Sequence, residues 1–330
     1  MADFLTFDTD LTAVANAIRA KGGTSAQLIY PSGFVSAIQA IQTGITPKLV
    51  VTTTPGAAIT ATPAEGFKVV KGTAGADGMC TLELPKAGTW HVTAMANSVS
   101  NSQHIVIGTQ NMLLPLYHDT FANNTWEEII TVCRTGIAPD SWAVGDSKTM
   151  NIGGTAYQVD IIGKNHDEYA DGSGTAPLTF QLHDCYSEAK QMYSTNLSGL
   201  GWKNTDMRLT YLPAILALMP AEVQNGIRAV NKKTSEGGNS TTIEIVSDTL
   251  FLLSEVEIFG TASSSVAGEG SQYDYYKAGN PKIKKREGVD EFWWERSSAS
   301  GGMFCRVRAN GQAGASNASS SLGVSFAFCF

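Results

Sequence analysis

Two arginines on one short strand are the clearest candidates for chemistry in this chain. In Phe304-Cys305-Arg306-Val307-Arg308, alternation puts Cys305 and Val307 on one face and Phe304, Arg306 and Arg308 on the other. With Cys305 and Val307 turned to a core, both guanidinium groups point outward. There each could make bidentate hydrogen bonds to a carboxylate or phosphate, or stack on a planar or sugar face. On local sequence alone the pair reads equally well as solvated charge balancing an acidic chain. The neighbours favour contact: Trp293, Trp294, Asn310, Gln312, Asn317 and a run of serines have the amphipathic, hydrogen-bonding composition of adhesive surfaces. The candidate ligand-binding set is therefore Trp294, Ser298, Ser300, Met303, Arg306, Arg308, Asn310, Gln312, Ser316, Asn317, Ser319 and Ser321, with at least one of the two tryptophans expected in the core.

Other constellations carry less. Asn165, His166, Asp167, Glu168 and Asp171 could offer oxygens to calcium, because hard cations take carboxylates and carbonyls from flexible loops, but the spacing is not that of an EF-hand. A His166 that hydrogen-bonds a turn is the preferred reading, and no metal or cofactor is expected. The five cysteines, Cys80, Cys133, Cys185, Cys305 and Cys329, are scattered without a Cys-x-x-Cys pair. They signal neither a disulfide framework nor a zinc site and read as small buried hydrophobes. The serine-rich stretch has no Gly-x-Ser-x-Gly elbow, which argues against a Ser-His-Asp hydrolase.

The elements that must position these residues follow from composition and period. A length of 330 residues allows two or three domains, each with its own core. Charged residues make up only 16% and glycines number 33, a turn-rich balance more like an extracellular β-rich protein than a cytosolic helical enzyme. A net charge of −7 argues against nucleic acid as a partner. The one basic cluster, Lys282-Ile283-Lys284-Lys285-Arg286, reads as a solvated loop. No run approaches the roughly 18 apolar residues of a membrane span, and Met1-Ala2-Asp3-Phe4 lacks the basic and apolar regions of a signal peptide.

Leu11, Val14, Ala15 and Ile18 predict a helix capped by Thr9 or Asp10 and ended by Gly22-Gly23, and Phe34, Ile38 and Ile41 predict a second from Ser32 to before Gly44. Residues 1–44 are thus a helical attachment or oligomerisation segment, with a helical hairpin packed on the next domain as the alternative. Leu49 and Val51, Leu82 and Leu84, Trp90, Val92 and Ala94, and Ile105 and Ile107 alternate as strands. Ala76-Asp77-Gly78 and Lys86-Ala87-Gly88 supply the turns. Residues 45–110 are expected to form a small β-sandwich of immunoglobulin-like or carboxypeptidase-regulatory-like type, acting as a spacer. Residues 111–330 open on the capping box Thr125-Trp126-Glu127-Glu128. Strands are expected at 149–152, 157–162, 243–246 and 250–256, and helices at 214–219 and 221–230 started by Pro213 and Pro220. This mixture predicts an α+β domain.

Several motifs in order carry a resemblance over the last two thirds of the chain. They are Trp142-Ala143-Val144-Gly145-Asp146, Ile162-Gly163-Lys164-Asn165-His166-Asp167, Gly201-Trp202 with Met207-Arg208, Phe251-Leu252-Leu253-Ser254-Glu255-Val256, Trp293-Trp294-Glu295-Arg296-Ser297, and the closing Gly323-Val324-Ser325-Phe326-Ala327-Phe328. Together they resemble a domain family of unassigned function common in tail proteins of phages that infect gut bacteria. That family is similar to the C-type-lectin-like fold of formylglycine-generating enzymes and of the variable proteins of diversity-generating retroelements. The stretch from Asp10 to Gly23 also looks like a segment recurring near the start of tail-fibre proteins.

The resemblance implies a tail adhesin with a C-type-lectin-like domain at 111–330, binding a host cell-surface glycan or protein. It further implies attachment to other tail proteins through the N-terminal segment, a homo-oligomer with a trimer favoured, and a place in the virion tail after synthesis in the host cytoplasm. A structural tail or baseplate component, its lectin-like domain bound to another phage protein, is the alternative. In retroelement-diversified relatives variants scatter over the terminal stretch while the apolar frame stays fixed; residues 298–303, Arg306, Arg308, Asn310, Gln312, 314–317 and 319–322 occupy the matching slots here. Formylglycine-generating enzymes work through a C-terminal cysteine pair, for which Cys305 and Cys329 would be the counterparts. The inward face of Cys305 and the apolar setting of Cys329 speak against that role, and no enzymatic activity is expected.

Overall fold

The computed structural model describes residues 8–20, 47–64, 68–85, 87–107, 110–199, 201–238 and 240–330. The chain divides into two compact units, Met1–Leu114 and Pro115–Phe330. Strand accounts for 37% of residues and helix for 17%, so sheets carry the architecture of a multidomain α+β protein.

In the first unit the helix Asp8–Ala20 forms, with Ala15 and Ile18 buried. Val14, placed on the same stripe by spacing, is exposed instead. The second expected helix lies outside the described residues. Seven strands follow among the described residues: β1 (Lys48–Thr52), β2 (Ala58–Pro63), β3 (Val70–Thr73), β4 (Met79–Glu83), β5 (Gly88–Ala96), β6 (Val99–Ile107) and β7 (Gln110–Leu113). They make two sheets, ordered β4-β1-β7 and β3-β2-β5-β6. Alternation sets the buried faces, with Leu49, Val51 and Leu82 inward on one sheet and Ile59, Trp90, Val92 and Ala94 on the other. Gly72 on β3 is required by close approach, because a Cβ there would come within 2.5 Å of Cys80 Sγ and 2.7 Å of Leu82 on β4. The expected turn at Asp77-Gly78 is present: the Asp77 carboxylate accepts from the Met79 amide at 2.9 Å and Gly78 takes a φ of 72°. The unit runs to Leu114, beyond the boundary expected at 110, because β7 pairs in parallel with β1.

The second unit is built on a fully antiparallel sheet in the order β13-β19-β10-β9-β8. Its strands are β8 (Ser147–Ile152), β9 (Thr155–Gly163), β10 (Thr179–Leu182), β13 (Leu250–Phe251) and β19 (Ala327–Cys329). Phe180 on β10 stacks on Phe328 of β19 at 5.2 Å between ring centroids, and Trp126 meets both Phe180 and Phe330 edge-on. The helix Trp126–Cys133 starts at the predicted capping box, in which Thr125 and Glu128 exchange hydrogen bonds of 3.2 and 2.8 Å. Such a cap contributes about 1 kcal/mol.

Expected boundaries move. The helix expected at 214–219 spans Leu212–Leu216, with Pro213 inside its first turn. The helix from Ala221 ends at Gly226, Pro220 is its cap, and Val230 instead begins β11 (Val230–Ser235), which pairs with β12 (Ile243–Asp248). The expected strand 250–256 stops at Phe251, because Ser254 and Glu257 form a second capping box that opens the helix Glu255–Phe259. A hairpin of β14 (Lys284–Arg286) and β15 (Val289–Glu291) then leads into the sheet β16 (Trp293–Ser298), β17 (Met303–Val307) and β18 (Ala313–Asn317).

Candidate functional site

The three-stranded sheet β16-β17-β18 holds most of the residues singled out by sequence, and it sorts them into a frame and a surface. All six residues of β16 are buried. Trp293 and Trp294 are fully enclosed, and their indole N–H groups donate to the carbonyls of Lys282 at 2.9 Å and Lys190 at 2.8 Å. Trp294 and Ser298 therefore do not present themselves to a ligand. Trp294 fills the core, with its one polar atom already paired.

Phe304 is also buried, although alternation places it on the face of Arg306. That face is covered near Phe304 and opens toward the hairpin turn, where the two arginines lie. The β17–β18 register sets Arg306 opposite Gly314. Arg306 is half-buried; its Nε donates to the Ala315 carbonyl at 3.1 Å and its guanidinium lies 4.1 Å from the centre of the Phe292 ring. Arg308 is exposed, and its Nε donates to the Ala313 carbonyl at 3.1 Å. Its side chain crosses Gly314, where a Cβ would come within 2.8 Å of Arg308 Nε. Burial, and then the like charge of Arg308, pushes the Arg306 pKa down.

The turn between the strands is closed by Arg308 N to Gln312 O and Gly311 N to Arg308 O, both 2.7 Å. Asn310 and Gln312 are exposed and bonded to each other through Nδ2 and Oε1 at 3.2 Å. Asn317 is exposed at the far end of β18, opposite the half-buried Met303, and Ser316 is half-buried beside it. Ser319 is half-buried and donates to Asn196 Oδ1 at 2.5 Å. Ser300 and Ser321 are exposed on loops of their own. Sequence reasoning missed two contributors. Phe292 props Arg306, and its place beside the paired tryptophans was the available signal. Asn196 ties a distant loop to the surface, and nothing local marks it.

Beneath this surface lies a buried ionic chain that the sequence did not reveal. Lys232 Nζ sits 2.6 Å from Asp167 Oδ1 and 2.8 Å from Glu257 Oε1, and Glu257 in turn pairs with Arg296 at 2.5 Å. All four side chains are at most 3% exposed, and their charges alternate and cancel. Burial would raise the Asp167 carboxyl, but Lys232 and His166 together outweigh it and hold the group far below the usual carboxylate range. Burial would lower Lys232, but Asp167 and Glu257 hold it above its ordinary value. The network stitches β11, the helix Glu255–Phe259 and β16 to the loop after β9.

Glu295 stands apart on the opposite face of β16. Neither of its carboxylate oxygens has a hydrogen-bond partner among the described residues, and burial, reinforced by Glu255 and Glu269, drives its pKa well above the carboxylate range. Its burial without a partner disfavours the charged form.

The calcium reading of residues 165–171 is not supported by the side-chain partners. Asp167 is engaged by Lys232, by Tyr273 Oη at 2.8 Å and by Thr179 Oγ1 at 2.6 Å. Asp171 accepts from the Ser173 amide at 3.0 Å and pairs with Arg228 at 2.6 Å; Ser173 first, through its side chain and backbone, and Arg228 second lower its pKa to about 2. His166 reaches the Ser271 carbonyl at 3.1 Å and stacks on Tyr273. The two C-terminal thiols are free and buried in different surroundings. Cys305 Sγ lies 3.9 Å from Glu255 Oε2, and Cys329 Sγ lies 3.4 Å from Thr179 Oγ1. Burial first, and neighbouring carboxylates second, push both thiol pKa values far up, the opposite of what a nucleophile needs.

Residues 179–330, a little under half of the chain and the part containing this surface, match a family described as Domain of unknown function (DUF6273). No curated protein and no solved structure matches the chain.

Proposed function

We propose that this chain is a phage-tail adhesin whose second unit binds a host cell-surface receptor through the exposed side of the β17–β18 hairpin. The observation that carries this reading is the division just described: Arg308, Asn310, Gln312 and Asn317 are displayed outward on a frame whose aromatic groups are enclosed and whose indole donors are paired. A surface of this kind binds by contact. The two-sheet, seven-strand arrangement of the first unit supports an immunoglobulin-like spacer. The return of β19 to an interior place in the main sheet, between β13 and β10, with long excursions before it, supports a C-type-lectin-like second unit. Polar single-site contacts are weak, so several copies joined through the N-terminal segment would raise avidity by effective concentration.

The test is binding of the full chain, multimerised on beads, to intact gut-bacterial cells, beside R308A/N310A/Q312A/N317A. Binding by the parent and none by the folded variant is the expected result. If neither binds any host tried, the adhesin reading gives way to a structural tail component that docks this face on another phage protein.

A further inference from the structure

We propose that Arg306 and Arg308 form a preset clamp for the oxyanions of an acidic polymer, phosphodiester or carboxylate. The proposal relies on the adhesin reading only for the polymer's source, the cell surface; the chemistry of the clamp stands on the site itself.

Four other arginines of the second unit each hold a carboxylate: Arg208 with Asp248, Arg228 with Asp171, Arg286 with Glu291 and Arg296 with Glu257. In a chain of net charge −7, Arg306 and Arg308 have none within ion-pair distance among the described residues. Their side chains are nevertheless fixed. Each spends its Nε–H on a β18 carbonyl, Arg306 is braced on Phe292, and Arg308 is laid across Gly314. Among the described residues that leaves the terminal N–H groups of both guanidiniums without an acceptor, and these are the donors that grip a carboxylate or phosphate side by side. Two like charges held this close repel each other, and a bound anion relieves that repulsion.

The basic cluster expected as a solvated loop begins beside the same turn, but Lys284–Arg286 form strand β14 and Lys284 is buried, its Nζ donating to the Leu182 and His183 carbonyls at 2.6 and 2.8 Å. A Cβ at Gly311 would come within 3.3 Å of Ile283 and 3.8 Å of Lys282. Glu291, the chain neighbour of Phe292, is held by Arg286 at 2.8 Å and does not compete for the pair.

The experiment measures binding of the full chain to immobilised polyglycerol phosphate, polygalacturonate and neutral dextran, with intact cells as a fourth arm. The parent should bind at least one acidic polymer about tenfold above dextran, and R306Q/R308Q should lose about tenfold of that binding while melting like the parent. R306K/R308K keeps the charge but lacks the planar fork, and should lose most of the binding too. G314A leaves every charge in place, displaces Arg308 and should weaken binding. R134Q, at an exposed arginine on another element, should bind as the parent does.

Equal binding to dextran, undiminished binding by R306Q/R308Q, or full binding by R306K/R308K would overturn the clamp. Cells bound with neither acidic polymer bound would overturn it while leaving the adhesin reading intact. Arginine-dependent polymer binding without cell binding would support the clamp and remove the adhesin reading. Which polymer is retained identifies the phosphate or the carboxylate source.

Discussion

Replacing Arg296 by methionine should cost the second unit several kilocalories, a loss no exposed arginine can match. Arg296 is fully enclosed, and its five N–H groups make six hydrogen-bond contacts, at least one N–H being shared: two to Glu257, two to the Lys233 carbonyl and one each to the carbonyls of Leu252 and Glu269. Methionine restores much of the volume and none of the donors. The Lys233 and Leu252 carbonyls lose a partner, and the Asp167–Lys232–Glu257 row is left with one negative charge too many. Breaking a buried ion pair from one side costs about 3–5 kcal/mol. For a unit of this size each kcal/mol shifts the midpoint by about 2–4 °C, so the expected fall in Tm is about 6–20 °C. Five of the six tryptophans, all but Trp90, lie in this unit, so intrinsic fluorescence during thermal or urea unfolding reports on it directly. Adding E257Q to R296M leaves Asp167 and Lys232 as a balanced pair, so the double variant should be more stable than the sum of the single losses predicts. A loss below about 1 kcal/mol for R296M, the scale of exposed pairs, would refute the claim that this network holds the frame.

Three further outcomes are expected. Glu295→Gln should stabilise the protein increasingly with pH: a carboxyl whose folded pKa is raised contributes stability below its ordinary value near 4.5 and loses it as pH rises above that, so a Tm difference between the variant and the parent that is flat from about pH 4.5 to 8 would contradict the burial argument. His183, raised by its 2.7 Å hydrogen bond to Asp160, should titrate above its ordinary value near 6.5 and stabilise the fold below that value, with the gain lost as pH rises through the folded pKa. Asp160→Asn should bring the NMR midpoint of His183 down, and an unmoved midpoint would count against the pairing. Cys305 and Cys329 should resist iodoacetamide in the native protein at neutral pH and react once it is unfolded in guanidinium chloride; rapid native labelling of either, located by peptide mapping, would show an accessible thiolate that the burial of both denies.

What could be read from the sequence was whatever is local and strongly patterned. Alternating Leu49/Val51 and Trp90/Val92/Ala94 gave β1 and β5, and Thr125 with Glu128 gave a helix start. Strands β2 and β3 escaped because Ala-Ile-Thr-Ala-Thr-Pro and Val-Lys-Gly-Thr carry little apolar contrast; β2 is placed by pairing with β5, and β3 by pairing with β2. The run after Leu250 looked like one strand because its apolar density hid the Ser254–Glu257 cap, which diverts the chain into a helix. At the candidate site the arginines were visible from alternation and the amides of the hairpin from the polar composition beside them. Trp294 was misplaced because a strand residue opposite Arg306 can still be roofed by another segment, here through the Lys190 carbonyl. The ionic network was out of reach for a different reason: Asp167 and Lys232 are 65 residues apart, Glu257 and Arg296 are 39 apart, and no local period links them.

The parallel pairing of β1 with β7 bears on how the first unit carries load. Leu49 to Thr52 run alongside Gln110 to Leu113 in the same direction, and the Leu114 amide continues the ladder to the Thr52 carbonyl at 2.8 Å. Tension applied where the chain enters β1 and where it leaves β7 pulls the two strands lengthwise past each other. Every hydrogen bond between them is then strained together, in shear, whereas an antiparallel hairpin pulled from its open ends unzips one bond at a time. Tension passing through the first unit would therefore meet a mechanical latch.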